Sequence, residues 1–218
     1  MSREHAFTEV DPIISSAVES FGRHGFGAPL RGIAADAGVS AALIVKRFGS
    51  KDGLHAACEE YVREWIRIVK TENIDAVAQG CFLPAIVDDD ALLPMFAYIM
   101  ASVLAGGDVG RQFVEGMIVD AEAYIADAVA QGVAKPSRDE PARARYLVTS
   151  SLGSLLLTML MNGETTELTT AFRRLQHEMS PPMIELYTEG LFTDGAFLDD
   201  YLRQFGDTTA EQRERMLV

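Results

Sequence analysis

Apolar residues recur at intervals of three and four along most of this chain, and each run is opened by a capping residue or cut by glycine or proline. That period lines side chains up on one face of an α-helix, whereas a half-buried strand would alternate. Asp11-Pro12 reads as a cap and first-turn pair, after which Ile13, Ile14, Ala17, Val18 and Phe21 form a stripe that Gly22 and Gly25 end. Pro29 opens a second, short run of Leu30, Ile33, Ala34 and Ala37, which stops at Gly38. Ser40 caps a third helix, with Leu43, Ile44 and Val45 as inward candidates and Phe48-Gly49 closing it. Ser50 caps a fourth, along which Leu54, Cys58, Tyr61, Trp65 and Ile68 repeat past residue 70.

The same grammar continues over about 91–105, 110–133, 139–162 and 168–191, with breaks at Gly106-Gly107, Lys135-Pro136-Ser137, Asn162-Gly163 and Ser180-Pro181-Pro182. The last break divides 168–191 into two helices. Asp194–Gly206 reads as a further capped helix, and Thr208 with Glu211 as a capping box. The expected fold class is therefore all-α. At 218 residues, with 48% hydrophobic and 23% charged side chains, the chain has apolar surface enough for a sizeable core.

The N-terminus shows no apolar stretch after its first charges, which argues against a secretory or transit signal. The most apolar runs, Ala91–Ala105 and Tyr146–Met161, fall short of the roughly 20 residues that span a bilayer. A soluble cytoplasmic protein with no membrane partner is expected. Cys58 and Cys81 form no CxxC pair and read as small core residues.

A formal charge of −13 disfavours nucleic acid until it is split along the chain. Residues 1–55 carry six basic groups (Arg3, Arg23, Arg31, Lys46, Arg47, Lys51) and six acidic ones, so the whole −13 belongs to residues 56–218. A polyanion would repel that acidic remainder, so any DNA contact must come from the N-terminal segment.

Pro29–Lys51, PLRGIAADAGVSAALIVKRFGSK, has the spacing of a helix-turn-helix: two short helices, a Gly38-Val39-Ser40 turn, and Ala34 small at the crossing. In such folds the second helix enters the major groove, its early residues meeting base edges and its flanks meeting phosphates. Ser40, Ala41 and Ala42 lead that helix, while Lys46, Arg47 and Lys51 lie near its exit, where long cations reach phosphate oxygens. Pro29, Leu30, Arg31, Val45 and Ser50 complete the candidate DNA-contacting set. A plain helical hairpin with a basic surface is the rival reading of the pattern alone.

Phe21-Gly22, Gly25-Phe26, Ile33-Ala34, Ala37-Gly38-Val39-Ser40, Phe48, Ser50-Lys51 and Leu54 together resemble the N-terminal signature of the tetracycline-repressor (TetR) family of bacterial transcriptional regulators. The resemblance covers about a quarter of the chain. It implies a three-helix DNA-binding head, a linking fourth helix, and a larger helical body that dimerises and often binds a small effector. The domain division that follows is 1–55 for the helix-turn-helix head and 56–218 for the effector-binding and dimerisation body. The family usually carries Tyr at the position of Val45 and often His or Tyr at that of Arg47, and Ala28-Pro29 replaces its usual Ser or Thr before the second helix. Lys46 and Arg47 are therefore the candidates to supply the backbone contacts.

No cofactor, metal or catalytic set is expected. His5, His24, His55 and His177 are dispersed, and a helical pair such as His55 with Glu59 is too little for a metal site. Asp88-Asp89-Asp90 reads as a solvated loop and cap, and Gly106–Gly110 as a loop between helices rather than a dinucleotide fingerprint. In the body, Trp65, Met95, Tyr98, Met100, Phe113, Met117 and Tyr124 are the candidates to line an apolar effector pocket, although core packing uses the same residue types. Leu152, Leu156 and Met159, on a helix with small Ser151, Gly153 and Ser154, and Leu186 in the segment 181–191 are the candidates for a two-fold interface. The expected function is a homodimeric repressor that leaves a palindromic double-stranded operator when a small apolar effector binds. The alternative is an all-α effector-binding or protein-interaction module without DNA binding.

Overall fold

Asp11 begins the first helix as its sequence position suggests: its carboxylate accepts a hydrogen bond from the Ile13 N–H at 2.9 Å, and Pro12 occupies the first turn, where no N–H is needed. In this computed structural model, which describes residues 11–81, 92–161 and 175–205, the elements are helical and no strand occurs among the described residues. Helix α1 (Pro12–His24) buries Ile13, Ala17, Val18 and Phe21. Gly22 does not end it, contrary to the sequence reading; the helix runs on to His24 and closes at Gly25, at φ +69°. Gly22 serves close packing instead, since a Cβ there would lie 2.8 Å from the Cβ of Ala97.

Helices α2 (Leu30–Asp36), α3 (Ala41–Phe48) and α4 (Lys51–Ala78) follow, and α4 carries Leu54, Cys58, Val62 and Trp65 on its buried face. Leu43 and Val45, expected to face inward, are 43% and 45% exposed, and Ile44 alone is fully buried on α3. An eight-residue helix lying across its neighbours can bury only a narrow stripe, and Ile44 with Phe48 fills it.

Helix α5 (Leu92–Ala105) is the most apolar element and buries Met95, Tyr98, Ile99 and Met100. Gly106 and Gly107, at φ +62° and +58°, turn the chain into α6 (Gly107–Ala130). The helix thus begins at Gly107, and the loop expected over 106–110 shrinks to this corner because two consecutive glycines suffice for it. Helix α7 (Glu140–Met161) opens with the Asp139 carboxylate accepting from the Ala142 N–H at 2.9 Å.

One core runs through the N-terminal helices and the body: Ile13, Phe21, Ile33 and Ile44 share it with Leu54, Trp65, Met95, Tyr98 and Phe113. Each fully buried large side chain there contributes about 1.5–3 kcal/mol relative to exposure. The boundary expected at residue 55 lies within α4, and the chain divides into two compact units, 1–173 and 174–218. A smaller cluster of Ile118, Ala121, Ala144 and Val148 joins α6 to α7.

Helix α7 is longer than the apolar run counted from the sequence: 22 residues with a mean hydropathy of 1.3 in its most apolar window, enough by length and composition to cross a membrane. Only 17% of that window is buried. Ala144, Val148 and Leu155 face the core, while Tyr146, Leu157, Leu160 and Met161 are exposed.

The second unit contains a π-helical turn (Leu175–Met179), α8 (Ser180–Thr188) and α9 (Ala196–Phe205). Helix α8 opens at Ser180-Pro181-Pro182 as expected and ends at Thr188 rather than residue 191. Asp194 accepts from the Ala196 N–H at 2.8 Å, as expected of its capping position. The acidic run Asp88–Asp90, residues 168–174, Asn162-Gly163 and the Thr208/Glu211 capping box lie outside the described residues.

Candidate nucleic-acid interface

Helices α2 and α3 meet through a turn built almost wholly by backbone. The N–H groups of Ala37, Gly38 and Val39 donate to the carbonyls of Ile33, Ala35 and Ala34 at 3.0, 3.1 and 2.9 Å, which satisfies the last carbonyls of α2. Gly38 takes φ +68°, a left-handed conformation that costs glycine little and other residues more. Ser40 then caps α3, its Oγ accepting from the Leu43 N–H at 3.2 Å, and Ser50 caps α4 the same way from Gly53 at 3.0 Å. Ile33 and Ala34 of α2 and Ile44 of α3 are buried, so the outer face of α3 is left to solvent on a rigid support.

The candidate DNA-contacting residues fall into three groups. Pro29, Arg31, Ser40, Ala42, Val45, Lys46 and Ser50 are exposed. Leu30 and Ala41 are partly buried against the core, and Lys51 is partly buried where α4 begins. Arg47 is exposed but engaged: its guanidinium pairs with Asp11 at 2.5 Å and lies 5.4 Å from the centre of the Phe48 ring. Lys46 and Arg31 are thus the exposed cations of the helix pair with no such pairing among the described contacts.

The candidate effector residues lie mainly in packed core. Trp65, Met95, Tyr98, Met100 and Phe113 are each less than a tenth exposed. Met117 and Tyr124 are partly buried, and burial pushes the Tyr124 phenol up to about 12. The Tyr98 hydroxyl donates to the His55 carbonyl at 3.3 Å, while the buried Trp65 Nε1 has no hydrogen-bond partner. Two cavities flank Phe26, where α1 meets the body. One, of about 490 Å³, is apolar and lined by Gly22, Ala97, Met100, Ala101, Leu104 and Met159 among others. The other, of about 370 Å³, is lined by Phe21, Lys51, His55 and the first residues of α6. Met100 is the one candidate effector residue that lines either.

Of the candidate interface residues, Leu152 packs against its own core, Leu156 and Met159 are partly exposed, and Leu186 is 44% exposed. Helix α8 has no buried residue.

Two clusters were not foreseen from sequence. Asp120 on α6 accepts from Arg63 Nε and Nη2 at 2.7 and 2.9 Å and from Arg67 Nη1 at 2.9 Å, which clasps α6 to α4. Burial by itself would raise the Asp120 carboxyl, but the two guanidinium groups outweigh it and hold it below its ordinary value. The His55 ring packs on Phe26, Phe21 and Tyr98, with centroids at 4.0, 5.9 and 5.9 Å. Burial, partly opposed by Asp52, lowers its pKa. His55 Nε2 lies 3.8 Å from Glu59. Cys58, in the same core, has its thiol pushed up to about 12 by burial, which suits the packing role read from sequence, whereas Cys81, read the same way, is exposed just beyond the end of α4.

Comparison with known proteins agrees with this arrangement. Residues 13–58 match the profile of bacterial regulatory proteins of the tetR family, and residues 90–193 match a tetracyclin repressor-like C-terminal domain. The HTH-type transcriptional regulatory protein RaaS of Mycobacterium tuberculosis is 41% identical over 192 residues, spanning 88% of this chain and 91% of that one. The HTH-type transcriptional dual regulator CecR of Shigella flexneri is 41% identical over 54 residues, 25% of this chain and 24% of its own. A TetR-family transcriptional regulator from Rhodococcus sp. superposes with a TM-score of 0.57 at 17% identity, covering 78% of this chain and 96% of that one, which is a likeness of fold. The chain therefore belongs to the tetracycline-repressor family of DNA-binding transcriptional regulators.

Proposed function

We propose that this regulator is a homodimeric repressor that binds a palindromic double-stranded operator through α3 and is released by a small apolar effector. The observation that carries the reading is the outer face of α3, held rigid by Ser40, Gly38 and buried Ile44 and left uncovered together with Lys46. A single head offers few cations, so useful affinity requires two heads engaged on one site. The exposed apolar stripe of α7 supports a self-complementary contact between copies, and exposed Leu186 on α8 is by itself a second candidate.

Effector control is supported by the apolar cavity beside Gly22 and Met100, whose size lies within the range of small-molecule sites. A ligand wedged between α1 and α5 would shift the head relative to the body without touching DNA. Met100 is the candidate effector residue on the wall of that cavity, whose apolar lining favours an apolar ligand. Two recognition helices must stay about 34–36 Å apart to dock together, so a small tilt in each subunit is enough to break the fit. Selection of genomic fragments by the purified protein, followed by mobility shift with and without candidate apolar ligands, tests the reading. Absence of any bound fragment would favour an effector-binding module without DNA binding. A saturating ligand that leaves operator affinity unchanged would remove the effector step.

A further inference from the structure

Leu43 and Val45 are 43% and 45% exposed although Ile44 between them is fully buried. Exposed branched apolar side chains on the face that meets DNA require a chemical reason. Helix α3 is AALIVKRF: it contains no Asn, Gln, Asp, Glu, Ser or Thr, the side chains that with Arg and Lys read bases by hydrogen bonding. Its Arg47 is turned back onto Asp11 and Phe48, and the Ser40 Oγ that precedes it accepts the Leu43 N–H. At 100° per residue, with Ile44 and Phe48 inward, Lys46 occupies the centre of the outer face, Ala42 lies about 40° to one side of it and Leu43 about 60° to the other, and Val45 falls at the edge beyond Ala42. Among major-groove base edges, the group that apolar side chains recognise is the C5 methyl of thymine.

We propose that Leu43 and Val45, with Ala42, select the operator by packing on thymine C5-methyl groups, so that sequence choice in each half-site follows the placement of methylated pyrimidines and Lys46 serves the phosphates. This rests on the operator-binding reading above. The chemistry is a dry apolar contact, in which each methyl removed costs about as much as one buried methylene, roughly fourfold in affinity.

The test uses the full-length protein and a duplex selected from genomic fragments, with affinity measured at one fixed salt concentration. Deoxyuridine replaces thymine one position at a time, and 7-deazaguanine replaces guanine in a parallel series. Loss of about fourfold at one or more thymines in each half-site, with 7-deazaguanine neutral, is the expected result. Leu43→Ala or Val45→Ala should abolish the thymine–uracil difference at its own position while leaving the protein folded, because both side chains are already solvent-exposed. A protein that binds the selected duplex equally well with every thymine replaced overturns the proposal and leaves DNA binding intact, as does a series in which 7-deazaguanine alone weakens binding. Failure to select any duplex overturns both readings.

Discussion

The guanidinium of Arg47, near the end of α3, is paired at 2.5 Å with Asp11, the residue that caps the first helix. One carboxylate thus satisfies the start of α1 and holds a cation away from the outer face of α3. With the guanidinium half-exposed to solvent screening, the pair contributes about 1 kcal/mol, so its effect on charge placement is the larger one. Asp11→Asn should keep the cap, since Asn caps as well as Asp, and release Arg47 toward phosphate. Titration of operator against salt should then show a steeper slope, by about 0.9 for each phosphate gained. Lys46→Ala should flatten the slope by a similar amount, and Arg47→Ala should change it less. Equal losses for the two alanine variants would show that Arg47 leaves Asp11 when the protein docks.

Asp120 carries the second prediction. It is 7% exposed and receives three hydrogen bonds from Arg63 and Arg67. Asp120→Ala would remove the carboxylate that joins the two helices while Arg63 and Arg67 keep Glu60 and Glu64 on their own helix, at a cost of about 1–3 kcal/mol, with Asp120→Asn retaining part of the contact. Because the folded carboxyl is held below 3.8, its contribution is present above that value and is lost as pH falls through the folded pKa. Urea unfolding of both variants at neutral pH measures the cost. An Asp120→Ala midpoint within error of the parent would show that the clasp does not hold α6 to α4.

His55 gives the third. Its folded pKa lies below the ordinary 6.5, so the unfolded chain binds more protons in the window just under that value, and stability falls as pH drops through it. Glu59 opposes this lower down: burial, partly offset by Arg63, raises its carboxyl, so the folded chain binds more protons above 4.5. Lys51, Asp52 and Asp108 line the same cavity as the ring, and Asp52 reduces the His55 shift. Thermal melts between about pH 7.5 and about pH 5.5 should show a falling midpoint that His55→Phe flattens. The same decline in the variant would place the titrating group elsewhere.

What could be read from sequence followed local chemistry. The starts of α1, α3 and α4 were legible because Asp11, Ser40 and Ser50 act within three residues of themselves. Gly22 was misread because its purpose lies on α5, at Ala97, and no neighbour in sequence announces it. The Arg63–Asp120 bonds span 57 positions, which periodicity does not register. Leu43 and Val45 look like core residues by type, and only the crossing of α3 over its neighbours decides that they face outward. The Met and aromatic candidates were separable into core and cavity wall only once Phe26 and the gap beside Met100 had been placed.

The last prediction concerns assembly. Tyr146, Leu157, Leu160 and Met161 lie along one side of α7, with Gly153 between them, where an added Cβ would meet nothing within 4 Å. Leu155, on the opposite side, is 3% exposed and belongs to the protomer's own core. A charge at Leu157, which is 58% exposed, should therefore leave the fold intact and act only on what covers the stripe. If a second copy covers it, Leu157→Arg places a cation in a two-fold contact twice over, at about 2–5 kcal/mol for an unpaired buried charge, or at least thirtyfold in dimer affinity. Leu156→Arg and Leu186→Arg should act in the same direction. Sedimentation at micromolar concentration should show a dimer for the parent and a folded monomer for the variants, with operator affinity falling in parallel because one head alone binds weakly. A parent protein that sediments as a monomer under those conditions would leave the stripe to another partner and would require the head to bind its operator singly.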